Sequence, residues 1–148
     1  MNTLIVGFGS PHGDDQFGWL VIEQLQTALK EREDIHAICC DHSGIDWIHQ
    51  YQPVSKLLFI DAVKSELKPA TQYHLTIKPT ELNAFPTTHS SHGIGLREGI
   101  VLAAKVVELP PEIEFYGVEL AQCDANSTVS SSIVKQVALV TKQLLTIL

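Results

Sequence analysis

The chain has 148 residues, 45% of them hydrophobic and 18% charged, which suits a single globular domain over 1–148 with its own core, not a disordered tail or an array. Ten Lys and Arg against 17 Asp and Glu leave a formal net charge of −7, a balance that repels nucleic-acid phosphates and anionic lipid. The apolar bursts LIVGF, LLFI and VLAA are far shorter than the ~20 residues of a membrane span, and MNTLIVGFGSPHGDD lacks the basic opening of a secretory signal. A cytoplasmic location is expected, with no nucleic acid bound and no membrane insertion.

In chain order, Thr3 to Val6 read as a buried first strand that ends in the Gly-rich turn GFGSPHGDD. From Asp15 to about Lys30, Phe17, Leu20, Val21, Leu25 and Leu29 recur at spacings of three or four, the mark of an amphipathic helix with Asp14 or Asp15 as N-cap. The charged run KERED at 30–34 closes it. Ile35 to Cys40 form a second strand, Ile45 to Gln50 a short helix, and Lys56 to Ile60 a third strand that is apolar enough to be covered on both faces. The alternation around Tyr73, Leu75 and Ile77, with prolines on either side, marks an edge strand.

The loop THSSHGIG leads into LREGIVLAAKVVEL, whose Leu96, Ile100, Ala103, Ala104 and Val107 share a helical face up to the stop at Pro110 and Pro111. Ile113 to Val118 is the last strand. Asn126 or Ser127 caps a terminal helix with the stripe Ile133, Val137, Val140, Leu144 and Leu148. Strands alternating with helices imply a three-layer α/β/α sandwich with an open, mostly parallel sheet of about five strands, and function at the carboxyl ends of those strands. Cys39, Cys40 and Cys123 form no CxxC pair. They read as reduced thiols, at least two of them in the core, with Cys39 and Cys40 on opposite faces of their strand.

The residues just past the strands are Asp14 and Asp15, Asp41 and His42, and Asp61, while His92 opens the helix after the edge strand. Asp15, Asp61 and His92 offer two carboxylates and one imidazole, a set suited to a borderline ion such as zinc or nickel, with positions left for water or substrate. Taken singly, Asp15 is as readily a helix cap and His92 a solvated loop residue; the joint pattern is what points to metal chemistry. His89, three residues from His92, is placed to share that site, while the remaining histidines read as surface residues or as residues behind the ligands. Two rival patterns fit less well. The glycines at 7, 9 and 13 give GxGxxxG where a dinucleotide fingerprint needs GxGxxG, and Asp14 and Asp15 stand where a pyrophosphate would approach. Neither Ser10 nor Ser90 and Ser91 sits in the GxSxG elbow of a serine hydrolase.

Together, GFGSPHGDDQFG, LLFIDAV and SSHGIGL resemble the hydrogenase maturation endopeptidase family, in the same order and over nearly the whole chain. The resemblance implies an enzyme that removes a C-terminal extension from the large-subunit precursor of a nickel–iron hydrogenase once nickel is installed. It implies metal-binding roles for Asp15, Asp61 and His92, toward nickel carried by the substrate, for which zinc or cadmium can stand in on the isolated protein. Asp41 matches a strand-end acid of the family and is the candidate for proton transfer or substrate orientation, so the catalytic set is Asp15, Asp41 and Asp61. The partner is then the precursor, met by a monomer. Ser10 stands where the family usually has Asn, the loop before the acids is one residue shorter, Gln16 replaces a usual Gly, GVELAQ lacks a common Pro, and SSSIV lacks the usual Gly-rich lead-in. Two other functions remain open at this stage: a metal-sensing or chaperone-like domain without turnover, and a nucleotide-binding oxidoreductase.

Overall fold

A computed structural model describes residues 1–41, 45–84, 95–121 and 128–148. Five strands form one sheet in the order β2-β1-β3-β5-β4: β1 (Thr3–Gly9), β2 (Ile35–Asp41), β3 (Lys56–Val63), β4 (Gln72–Ile77) and β5 (Ile113–Glu119). All neighbours are parallel except β4, which runs antiparallel to β5 at one edge. The helices are α1 (Phe17–Ala28), α2 (Leu96–Ala104) and α3 (Ser131–Ile147), with short 3-10 turns at Gly13–Gln16, Asp46–Gln50 and Pro79–Ala84.

Successive residues of a strand face opposite sides of the sheet, so β1 and β3, hydrogen-bonded on both sides, supply two cores at once. Ile5, Leu58, Ile60 and Ala62 pack with α1 and α3 through Phe17, Val21, Leu25, Ile133, Val137, Val140 and Leu144. Leu4, Val6, Phe8, Leu57, Phe59 and Val63 pack on the other face with α2 through Leu96, Ile100 and Ala103, and with Trp47. The layers are those expected of an open, mostly parallel α/β sandwich.

The boundaries depart from the sequence expectations in a consistent way. β1 continues through Gly9 and β3 through Val63, because their ladders with neighbouring strands extend past Val6 and Ile60. Asp61 therefore lies inside a strand and not after one. Asp14 and Asp15 sit in the 3-10 turn before α1, whose N-cap is Gln16. α2 ends at Ala104, short of the prolines, where Val106 and Val107 fold back in hydrogen bonds to Ala103; Ala104 is exposed, so the buried face is narrower than its periodicity implied. α3 is capped by Ser130; Asn126 and Ser127 lie outside the described residues.

The thiols also depart from expectation. Cys39 is exposed and Cys40 half-buried, because β2 forms the second edge of the sheet, so they do not make two core thiols; they do face opposite ways, and Cys123 lies outside the described residues.

Candidate functional site

The start of α1 is brought down onto the end of β1 by glycines. A Cβ on Gly18 would lie 2.3 Å from the Phe8 carbonyl oxygen, and one on Gly7 would lie 2.5 Å from the Gly18 carbonyl oxygen and 2.4 Å from Ile22. A Cβ on Gly9 would meet the Asp15 carbonyl oxygen at 2.7 Å. Gly13 turns the chain with φ of 51°, a conformation that side chains with a Cβ disfavour. Gly7 and Gly9 thus serve close helix-to-strand packing, which accounts for the opening GxG without a bound pyrophosphate.

This packing presses the turn carrying the paired acids against β3. Asp14 is fully buried, and its carboxylate accepts hydrogen bonds from the Ala121 amide (2.8 Å), the Ser130 amide (2.6 Å) and the Ser130 hydroxyl (2.9 Å). It therefore ties the turn before α1 to the end of β5 and to the N-terminus of α3. Asp15 is 3% exposed and accepts a 2.5 Å hydrogen bond from the Ser10 hydroxyl. The Ser10 amide donates back to the Asp15 carbonyl at 3.2 Å, closing the turn around the carboxylate. Ser10 thereby supplies a donor to Asp15.

Asp61 is 2% exposed, near the carboxyl end of β3, and alternation puts it on the α2 side with Phe59 and Val63. Asp15 and Asp61 are thus two nearly fully buried carboxylates at one edge of the sheet. Asp41 ends β2 in register with Gly9; it is exposed and alternates onto the opposite side, with Ala37. Strand β1 separates it from β3. His92, with His42 and His89, lies outside the described residues. Among the described residues, no three His, Cys, Asp or Glu side chains gather as metal ligands. The chemistry of the two aspartates still fits a hard or borderline cation, since each is an oxygen donor withheld from bulk water.

One buried acid had not been anticipated from the sequence. Glu119, 2% exposed at the end of β5, accepts hydrogen bonds from the Ser65 amide (2.9 Å), the Ser65 hydroxyl and the Tyr73 hydroxyl (2.8 Å). Burial pushes its carboxyl up, but the Ser65 and Tyr73 hydrogen bonds outweigh burial and hold it below the ordinary glutamate range. The available signal was a charged residue within the apolar run YGVEL, where an acid must find partners.

Fold and site together define an α/β sandwich protein with an acidic centre at the carboxyl edge of its sheet, where open α/β folds place their ligands. Residues 19–147 match the family HycI, hydrogenase maturation protease, and the chain belongs to that family of peptidases. The matched span includes Asp61 and His92 and begins just after Asp15. The fold is similar to that of the hydrogenase maturating endopeptidase HybD from Escherichia coli, with a TM-score of 0.77 at 18% identity over 99% of this chain and 91% of that one. It is also similar to the [NiFe] hydrogenase maturation protease HycI from Thermococcus kodakarensis, with a TM-score of 0.72 at 21% identity over 97% and 89% of the two chains. No curated relative matches the chain by sequence. Among the described residues, no helix is long and apolar enough to cross a membrane.

Proposed function

We propose that this chain is the endopeptidase that removes the C-terminal extension of a nickel-loaded large-subunit precursor of a nickel–iron hydrogenase. The observation that carries the proposal is the pair of buried carboxylates, Asp15 and Asp61, at the carboxyl edge of a sheet whose family is that of the maturation proteases. Two carboxylates withheld from bulk water are oxygen donors suited to a cation presented by the substrate.

Asp15 and Asp61, with His92, contact the nickel of the precursor, so that cleavage waits for metal delivery. Bound there, the nickel would supply Lewis-acid chemistry, either polarising the scissile carbonyl or acidifying the attacking water. The Ser10 hydroxyl fixes the orientation of the Asp15 carboxylate. Asp41, exposed at the rim, orients the arriving chain or moves a proton. Zinc or cadmium can stand in for nickel at the same three residues of the isolated protein.

The test mixes purified protein with nickel-loaded precursor and follows the mass of the large subunit. Wild type yields the shortened subunit; Asp15→Ala, Asp61→Ala and His92→Ala lower kcat/KM by at least about a hundredfold, and Asp41→Ala by less. Normal cleavage by the first three variants would refute the site, and binding of precursor without cleavage by wild type would favour a chaperone.

A further inference from the structure

Asp41 stands apart from the two buried carboxylates, on the other side of the sheet from Asp61 and at the end of an edge strand. It pairs in register with Gly9 of β1, and among the described residues no strand lies beyond β2, so the ladder holds the tip of β2 from one side only. A strand end held in that way opens readily, whereas a group that orients a chain or moves a proton must keep its place.

A single side chain supplies the second hold. Trp19 lies in the first turn of α1, on the helix that follows the Asp15 turn, and its indole N–H donates to the Cys40 carbonyl at 2.9 Å, next to Asp41. The Cys39 thiol lies 4.0 Å from the Trp19 carbonyl oxygen, so β2 also approaches the helix backbone at this residue. The N–H edge of the indole rests on Gly9: a Cβ there would lie 3.1 Å from Trp19 Cδ1 and 3.2 Å from Nε1, besides 2.7 Å from the Asp15 carbonyl oxygen. Gly9 thus leaves room for the ring as well as for the acidic turn, and the indole spans from the tip of β1 to the tip of β2. Trp19 is half-buried and belongs to neither hydrophobic core, unlike Trp47. What the indole adds is a link between the turn that carries Asp15 and the strand end that carries Asp41, made by a donor that a half-buried tryptophan must satisfy.

We propose that Trp19 is a positioning residue that fixes Asp41 relative to Asp15, so that the acid at the rim acts together with the buried pair although β1 stands between it and β3. This rests on the endopeptidase reading above. The test is a double-mutant cycle on cleavage of nickel-loaded precursor, with wild type, Trp19→Phe, Asp41→Ala and the double variant, each also titrated with precursor for Kd. Trp19→Phe keeps an aromatic ring and removes the donor to Cys40. It should lower kcat/KM by at least about fivefold in the wild-type background, and by less than about twofold where Asp41 is already Ala, because a residue that acts through Asp41 then has nothing left to position.

A chain in which benzothienylalanine replaces Trp19 keeps the bicyclic shape without the N–H, and carries the same cycle where Trp19→Phe fails to fold. An equal loss in both backgrounds, the mark of disturbed packing, would overturn the proposal, as would unchanged kcat/KM on removal of the N–H. If wild type binds precursor without cutting it, the endopeptidase reading fails while the same cycle on Kd still decides the role of Trp19. If wild type neither binds nor cuts, both fail.

Discussion

At the scale of single residues, the buried acids differ in what holds them. Asp14 carries three described hydrogen bonds from two distant segments, and each charge-assisted bond of this kind is worth roughly 1.5–3 kcal/mol when a partner is removed. Asp14→Ala should therefore lower unfolding free energy by about 3 kcal/mol or more in urea titration, with Asp14→Asn in between. Glu119 has a folded pKa held below its ordinary value, so it stabilises the fold above the ordinary glutamate range, and that contribution is lost as pH falls through the lowered folded value. Urea midpoints taken from pH 7 downward should fall less steeply for Glu119→Gln than for wild type; equal slopes would mean that the carboxylate is not held ionised. The thiols titrate the other way. Partial desolvation of the sulfur, with Glu23 nearby, raises the otherwise exposed Cys39 to about 11, and partial burial, with Asp46, Cys39 and Asp41, raises Cys40 to about 11. Both should alkylate with iodoacetamide at pH 8 at least tenfold more slowly than free cysteine, since only the thiolate reacts.

At the scale of elements, the contact between α1 and β1 decides where Asp15 stands. Gly18→Ala places a methyl 2.3 Å from a backbone oxygen of β1, and backbone cannot yield as a flexible side chain can. The expected cost is about 1–3 kcal/mol by thermal unfolding, and because α1 must lift, activity should fall further than stability alone explains. Element types and their order were legible from hydrophobic periodicity, since both cores are made of the stripes and alternations that it marks. Element ends were less so. Gly7, Gly9 and Asp61 are turn-forming or polar residues, yet all lie within strands, because neighbouring strands complete their ladders whatever the side chain. In the site, Asp15 and Asp61 stood out locally as acids after apolar strands. The role of Asp14 did not, because its partner Ser130 lies 116 residues away, and the second edge position of β2 follows from strand order, which no local pattern states.

At the scale of the whole molecule, the fold holds the Asp15 and Asp61 carboxylates nearly out of water at the carboxyl edge of the sheet, inside a chain with a net charge of −7. A cation that binds the folded chain at these residues and not the unfolded one must raise stability by mass action. Zinc at about a hundred times its dissociation constant adds about 2.7 kcal/mol. For a chain of this size each kcal/mol raises Tm by about 2–4 °C, giving an increase of about 5–10 °C. Scanning calorimetry with zinc should show that increase in wild type, reversed by EDTA, and little of it in Asp61→Asn, His92→Ala or Asp15→Asn. Asp61→Asn removes charge without removing volume, so its loss of the zinc response separates the charge from packing at that position. An increase of the same size in all three variants would place the cation elsewhere on the acidic surface and would remove the metal role from these residues.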